Sequence, residues 1–512
     1  MTKINLNNKK NPQKNHNDLS DHIIEDKILN SDIKSNSNIL TINKTKQNTK
    51  TKKNIKKSNK KNILNNTNNA NNTTNNSDEI SDAGKRKIIS TTIIGNIVEY
   101  YDFGMYAVFA AKIGNIFFPG DDENFSLLLS FIVFAIGFIM RPLGAVVFGY
   151  VGDKFGRKVA LRMSISGMAI STIGMALLPS YNSIGIIAPI LLVIIRLIQG
   201  LCIGGEGTGS AIYIIEHMNE KKSSLVGSLV MSSNYLGTLI AYGVGIMIEK
   251  FFGIDDITWR YGFGLGALAG LIGTYFRSKN GESPVFHKLK ETKALIKKPF
   301  SEIFKKKKLV SFSIITSTGA AVSLSYLIRG YMNSFYTEIL HYSPIEAMYF
   351  TCFALLLIVI LLPIFGIISD IIGCKNMLMV AAFSIAMWSL QQFLLIIDDS
   401  NYNKFMGITL LSVLCAAMSA PLYPYAIMSF PPELRYSGVS LSYNLGNALF
   451  GGTTPLICAI LVEKFGILGP AYYITGTSAI FIITNLSIII FLHRIRQRKS
   501  FFLLKKSSKK NY

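Results

Sequence analysis

Asn96, Glu99 and Asp102 recur at three-residue intervals within an otherwise apolar stretch of the chain. On a helix this spacing places the three side chains along one face. A charged carboxylate near the centre of a bilayer costs roughly 2.5–3.5 kcal/mol, so such groups are rare and mark functional sites. If the stretch crosses a membrane, we expect Glu99 and Asp102 to face a polar interior and to carry protons.

Two arginines in other apolar stretches, Arg141 and Arg196, lie at a similar depth and can offset these carboxylates. A guanidinium also binds a substrate carboxylate in a bidentate manner, which would release Asp102 to accept a proton. None of the six histidines lies in the middle of an apolar stretch, so a carboxylate must carry the proton. A fixed cluster that only orders the helices is the alternative. The predicted substrate-binding residues are Arg196, Arg141, Asn96, Tyr101 and Gln199.

These residues lie in apolar runs of about twenty residues, the length that crosses a hydrocarbon core of ~30 Å. Hydrophobic residues make up 49% of the 512 residues and charged residues only 16%, which favours an integral membrane protein over soluble domains. We predict an all-α membrane protein with twelve transmembrane helices in two pseudo-symmetric six-helix bundles. The predicted spans are 89–112, 127–149, 159–179, 186–208, 225–247, 259–277, 309–330, 346–369, 376–397, 405–430, 437–462 and 469–493.

The net charge of +23 is concentrated outside the spans, in the two tails and the loop after the sixth span. Since cytoplasmic segments carry excess Lys and Arg, both termini are predicted to be cytoplasmic. The cell (inner) membrane is the expected location. No nucleic-acid partner is expected, because the basic charge follows membrane topology. The predicted organisation is a disordered Asn/Lys-rich tail (1–87), a six-helix bundle (88–277), a basic loop (278–308), a second bundle (309–494) and a basic tail (495–512).

A ten-residue motif supports a duplicated plan. "GYVGDKFGRK" follows the second span at 149–158, and "GIISDIIGCK" follows the eighth at 366–375, 217 positions later. The first copy resembles the signature loop of the major facilitator superfamily, which implies a transporter of two homologous halves with a site between them. The resemblance predicts a cytoplasmic gate formed by Gly149, Asp153, Gly156, Arg157, Lys158, Glu216, Asp370 and Arg435.

A narrower resemblance, to the metabolite–proton symporters of that superfamily, is carried by four segments. They are "GNIVEYYDFGMYAVFA", "RPLGAVVFGYVGD", "RLIQGLCIGGEGTGSAIYIIEH" and "RYSGVSLSYNLGNALFGGTTPLI". Further segments are similar to the proline/betaine transporters of this branch. The resemblance implies import of a small carboxylate-bearing metabolite or osmolyte together with protons, by alternating access, across the lipid bilayer. No enzymatic activity, cofactor or metal is expected, and a monomer is the expected state.

Two other transport functions stay open at this stage. One is proton symport of dicarboxylates or tricarboxylates, because arginines attract any carboxylate. The other is drug–proton antiport, although the fifth span, "LVGSLVMSSNYLGTLIAYGVGIMI", lacks the proline of the element that the superfamily's antiporters carry there. Arg329, placed near the outer end of the seventh span, is either a ligand or an anchor that reaches toward the membrane surface.

Overall fold

The computed structural model describes residues 82–120, 123–217, 222–253, 257–278 and 307–508. The predicted N-terminal tail and the predicted basic loop therefore lie almost wholly outside the described residues, as does the end of the C-terminal tail.

Across the described ranges the chain forms twelve long helical segments, one for each predicted span. In the first half these are α1 (Asp82–Val108), α2 (Glu123–Phe155), α3 (Arg157–Leu177), α4 (Ile187–His217), α5 (Ser223–Phe252) and α6 (Trp259–Ser278). In the second half they are α7 (Lys308–Ile339), α8 (Pro344–Ile372), α9 (Cys374–Ile397), α10 (Asn401–Met428), α11 (Pro432–Phe465) and α12 (Gly469–Ser508). A short helix, Ala110–Phe117, follows α1.

Ten of these helices are long and apolar enough, over the described residues, to cross a membrane. The two others are α1 and α6. The shortfall in α1 has a physical reason, because it carries three polar side chains, Asn96, Glu99 and Asp102, which are all buried inside the protein. Buried polar groups lower the mean hydropathy of a helix without exposing charge to lipid.

Glycines bring α2 and α4 close together. A Cβ on Gly200 of α4 would lie 1.8 Å from the carbonyl oxygen of Gly137 in α2, and one on Gly204 would lie 2.2 Å from that of Arg141. Small residues at such contacts let helix backbones approach closely in a membrane. This packing places Arg141 of α2 and Arg196 of α4 at neighbouring positions inside the first bundle.

The two halves meet along α5 with α8 and along α2 with α11. A Cβ on Gly366 of α8 would meet the side chain of Ser228 in α5, and a Cβ on Gly452 of α11 would meet the ring of Phe138 in α2. The Ser232 hydroxyl of α5 also donates to a carbonyl oxygen of α8 at 3.0 Å. The space between the halves is consequently narrow in this conformation.

Helix α7 is irregular where it faces the first half. Its α-helical part ends at Tyr326 and is followed by two π-helical turns, Leu327–Tyr331 and Phe335–Ile339. Helix α11 contains a third π-helical turn, Asn447–Gly451. Such turns widen the helix locally, change the direction of its side chains and are frequent at functional sites.

Candidate functional site

Asp102, Gln199 and Arg196 form a buried chain of hydrogen bonds between α1 and α4. Arg196 Nη1 donates to Gln199 Oε1 at 2.9 Å, and Gln199 Nε2 donates to Asp102 Oδ2 at 2.9 Å. Over the described residues no ion pair joins Asp102 directly to Arg196, so the amide of Gln199 stands between the two charges. This amide therefore donates to the carboxylate and accepts from the guanidinium.

The guanidinium of Arg196 is otherwise held by aromatic rings. It lies 3.7 Å from the ring centroid of Tyr106 and 5.8 Å from that of Phe103. Two of its nitrogens, Nε and Nη2, are buried without a hydrogen-bond partner in the described part of the chain. A guanidinium group stays charged in proteins, so these two N–H donors of Arg196 can bind an anion.

Arg141 also lies close to the Phe103 ring. Its guanidinium is 4.8 Å from the centroid of Phe103 and 3.8 Å from that of Phe138. Its Nη1 donates to the hydroxyl of Tyr326, in α7 of the second half, at 3.5 Å. The sequence placed both arginines and Asp102 at one level. Both guanidiniums lie close to Phe103, and Gln199 joins Asp102 to Arg196. Arg141 additionally bridges the two halves.

The predicted polar stripe of α1 divides between two surroundings. Glu99 and Asp102 line one small cavity with Thr172 of α3 and Gly266 of α6, inside the first bundle. The Asn96 amide instead contacts Ser233 of α5 at 3.4 Å. A separation of six residues turns the side chain by about 120° at 3.6 residues per turn, which explains the division.

Tyr101 also packs within the first bundle. Its hydroxyl donates to the carbonyl oxygen of Gly262 in α6 at 2.9 Å, and its ring fits against Gly266. In this conformation its polar group faces α6, not the space between the halves. Gln199, also predicted as a ligand, is positioned as the link between Asp102 and Arg196.

Arg329, which the sequence left open as a ligand or a membrane anchor, is buried inside the protein. It is 7% exposed, sits on the first π-helical turn of α7, and its guanidinium lies 5.0, 4.8 and 4.3 Å from the ring centroids of Tyr100, Tyr235 and Tyr326. An anchor at the membrane surface is therefore the wrong interpretation. The three rings come from α1, α5 and α7. The one signal in the sequence was an arginine inside an apolar run.

The second copy of the ten-residue motif joins the two halves at the face where α8 ends and α5 begins. Asp370 Oδ1 accepts from the backbone N–H of Ser224 at 2.8 Å, and Oδ2 accepts from that of Leu225 at 3.0 Å. A carboxylate at this position satisfies free N–H groups of the first turn of α5 and interacts favourably with the helix dipole. Gly373, which follows, has φ +89°, a conformation that favours glycine.

The same face has a second contact between the halves. Arg435 Nη1, at the start of α11, lies 3.7 Å from Glu216 Oε1, at the end of α4. Gly156, between α2 and α3, has φ +112°, matching its repeat partner Gly373. Gly149 is buried in α2 and Lys158 lies in the first turn of α3, while the side chains of Asp153 and Arg157 lie outside those that the structure describes.

Comparison with known sequences agrees with this architecture. Residues 92–455 match the Major Facilitator Superfamily. The chain is 32% identical over 423 residues to the glycine betaine/proline/ectoine/pipecolic acid transporter OusA of Dickeya dadantii (strain 3937), which covers 80% of this chain and 84% of that protein. It is 31% identical over 424 residues to the proline/betaine transporter of Escherichia coli (strain K12), with coverage of 80% and 84%.

Solved structures share the fold. The proton:xylose symporter XylE, bound to 6-bromo-6-deoxy-D-glucose, is similar with a TM-score of 0.63 at 16% sequence identity, over 80% of this chain and 96% of that one. This confirms the predicted all-α fold of two helix bundles. Together with the apolar helices, the matches identify a multi-pass membrane protein that transports a small molecule and is not an enzyme. The chain belongs to the major facilitator superfamily of secondary transporters.

Proposed function

We propose that the protein imports a small carboxylate-bearing metabolite or osmolyte in symport with protons. Two similar proteins are named as transporters of proline and betaine, which are small molecules that carry a carboxylate. The buried arginines of the site match such a substrate, because charge-assisted bonds to carboxylate are strong and geometrically specific. Dicarboxylates or tricarboxylates satisfy the same chemistry and are the alternative substrates; drug–proton antiport is the alternative reaction.

The observation that carries the proton coupling is the chain Asp102–Gln199–Arg196. A substrate carboxylate that binds the free Nε and Nη2 groups of Arg196 draws the guanidinium toward itself and weakens its bond to Gln199. Asp102 then loses the part of its stabilisation that reaches it through the amide, and it takes up a proton. Glu99, which lines the same small cavity, is the second candidate for the proton carrier.

Alternating access follows from contacts between the halves. Two contacts join the halves at one face: Asp370 with the start of α5, and Glu216 with Arg435. We propose that this face is the cytoplasmic gate and that both chain termini lie on the cytoplasmic side. The proposed gate also includes five residues of the first copy of the motif: Gly149, Asp153, Gly156, Arg157 and Lys158. We further propose that the protein functions as a monomer in the cell membrane.

The test is uptake into proteoliposomes with and without an imposed inward proton gradient. Labelled proline, glycine betaine and succinate are compared, with Asp102→Asn as the matched variant because asparagine keeps the shape of the side chain. We expect accumulation of a zwitterion by the wild-type protein only when the gradient is present. Uptake that ignores the gradient would refute symport, and accumulation of succinate alone would favour the dicarboxylate alternative.

A further inference from the structure

We propose that Arg329 and the tyrosines around it bind a zwitterion, with the carboxylate on the guanidinium and a quaternary or secondary ammonium group against the tyrosine faces. Proline and glycine betaine have this chemistry, and dicarboxylates do not. The inference rests on the proposed function, since it assigns the substrate class and the residues that determine affinity. It gives Arg329 the recognition of substrate and leaves Arg196 the coupling to protons.

Arg329 has no counter-charge in the described part of the chain. Its Nε and Nη1 are buried without a hydrogen-bond partner, and over the described residues no carboxylate forms an ion pair with it. A guanidinium stays charged in proteins, and burying an unpaired charge is costly. The three tyrosine rings offset part of this cost. The carboxylate of a bound substrate would supply the counter-charge that the chain does not.

Tyrosine rings form the surface around the guanidinium of Arg329. Besides Tyr100, Tyr235 and Tyr326, a stacked pair from α10 and α11, Tyr423 and Tyr443, lies close by, with ring centroids 5.2 Å apart. The hydroxyl oxygens of Tyr100 and Tyr423 both approach Gly207, at 3.8 and 3.4 Å from the position of a Cβ there. Aromatic faces that surround one point bind quaternary ammonium groups well. In the closed conformation the guanidinium of Arg329 itself occupies the surface that would receive such a cation.

Arg329 and the tyrosines around it lie between the two halves. A cavity lined by Tyr100, Thr238, Tyr326, Arg329 and Gly330 encloses about 10 Å³, which is room for one water. A substrate can therefore enter only when the halves separate. Because the cavity is lined by α1 and α5 of the first half and by α7 of the second, a ligand there contacts both halves and senses their relative position.

The π-helical turn strengthens this connection. The carbonyl oxygen of Arg329 accepts a hydrogen bond from the hydroxyl of Tyr242, in α5, at 3.2 Å. Backbone and side chain of the same residue therefore both reach the first half. A carboxylate held by Arg329 of the second half makes its contact with Arg196 of the first half as the halves change their relative position, which links recognition to the proton step.

The experiment measures binding separately from transport. Purified full-length protein is titrated with labelled glycine betaine, proline, choline and succinate by equilibrium dialysis, and uptake is measured in proteoliposomes from the same preparations. The variants are Arg329→Gln, Arg329→Lys, Tyr326→Leu and Tyr326→Phe, with Arg162→Gln on the exposed surface of α3 as the matched control. Size-exclusion profiles verify that each variant is folded, and the conservative variants keep the test valid if Arg329→Gln does not fold.

We expect Arg329→Gln to weaken glycine betaine and proline binding about 10- to 100-fold, as expected for lost bonds to a charged group. Arg329→Lys should lose less, and Tyr326→Leu should lose more than Tyr326→Phe, because phenylalanine keeps the aromatic face. Wild-type affinity in the Arg329 variants, or tighter binding of succinate than of glycine betaine by the wild-type protein, would overturn the inference. Binding that depends on Arg329 without gradient-driven uptake would refute the proposed symport and support the site.

Discussion

The bond pattern of Asp370 gives the sharpest prediction about the transport cycle. Its two carboxylate oxygens accept from Ser224 and Leu225 at 2.8 and 3.0 Å, across the boundary between the halves. Removing a capping carboxylate of this kind costs about 0.5–2 kcal/mol. Since the bonds exist only while this face is closed, Asp370→Ala should destabilise that conformation alone.

The magnitude follows from the two-state equilibrium. A loss of about 0.5–2 kcal/mol corresponds to an increase of about 2- to 30-fold in the ratio of open to closed molecules at this face. Asp370→Asn should have a smaller effect, because the amide oxygen still accepts one hydrogen bond but carries no charge for the dipole of α5.

The assay is the distance between spin labels at Lys154, at the end of α2, and Asn376, at the start of α9, measured by electron–electron double resonance. Both positions are exposed and lie on the same face in different halves, and the five native cysteines are first replaced. Asp398→Ala is the matched control, because Asp398 accepts from the backbone N–H of Ser400 at 2.7 Å within one half.

The two labels are farther apart when this face is open. We therefore expect the population with the longer label–label distance to increase in Asp370→Ala and not in the Asp398→Ala control. The turnover rate in uptake assays should fall in the same variant. The apparent substrate affinity should change by no more than the factor by which the ratio of open to closed molecules changes. An unchanged distance distribution together with wild-type uptake would show that these two bonds do not stabilise the closed face, and the gate would then depend on other contacts.

Four further predictions concern the site and the fold. Asp102→Asn should abolish proton-driven accumulation but keep measurable substrate exchange, because asparagine accepts from Gln199 and cannot take up a proton; normal accumulation in this variant and in Glu99→Gln would refute the mechanism. Arg196→Ala should be worse and Arg196→Lys intermediate in uptake, since loss of one partner of a buried charged network costs about 3–5 kcal/mol. Gly200→Ala should lower the thermal unfolding midpoint in detergent, with overpacking worth about 1–3 kcal/mol, whereas Gly243→Ala, with open space at its Cβ position, should not. Deletion of residues 1–80, which precede the family match at 92–455, should leave uptake unchanged at equal surface abundance, and a lost rate would reveal a function of this segment.

Much of the fold could be predicted from the sequence, because the membrane imposes a strong local rule. Every backbone polar group in hydrocarbon must be satisfied within its own segment, so runs of about twenty apolar residues become helices whatever their neighbours are. The polar residues of α1 lower its hydropathy, and the sequence predicted from them that this span has a functional face. The ten-residue motif and its repeat indicated two related halves, and Gly156 and Gly373 share the positive φ that such a repeat requires.

Part of the site followed from depth along each helix. Asp102, Arg141 and Arg196 were placed at one level from their positions in the spans. In the structure both guanidiniums lie close to Phe103, and Asp102 is joined to Arg196 through Gln199. Depth does not give direction around the helix axis, however. For that reason the sequence did not predict that Gln199 joins Asp102 to Arg196, or that Asn96 contacts α5 although it lies on the same helix as Asp102.

Only the tertiary structure decided the surroundings of Arg329. The sequence determined that a guanidinium lies inside an apolar run, and burial of such a group requires compensation from somewhere in the fold. The compensation comes from rings on α1, α5 and α7, which lie up to 229 positions from Arg329 in the chain, and from a π-helical turn that redirects the side chain toward them. Local sequence fixes which segments become helices, but helix rotation and packing determine which side chains meet, because those depend on every neighbouring helix at once.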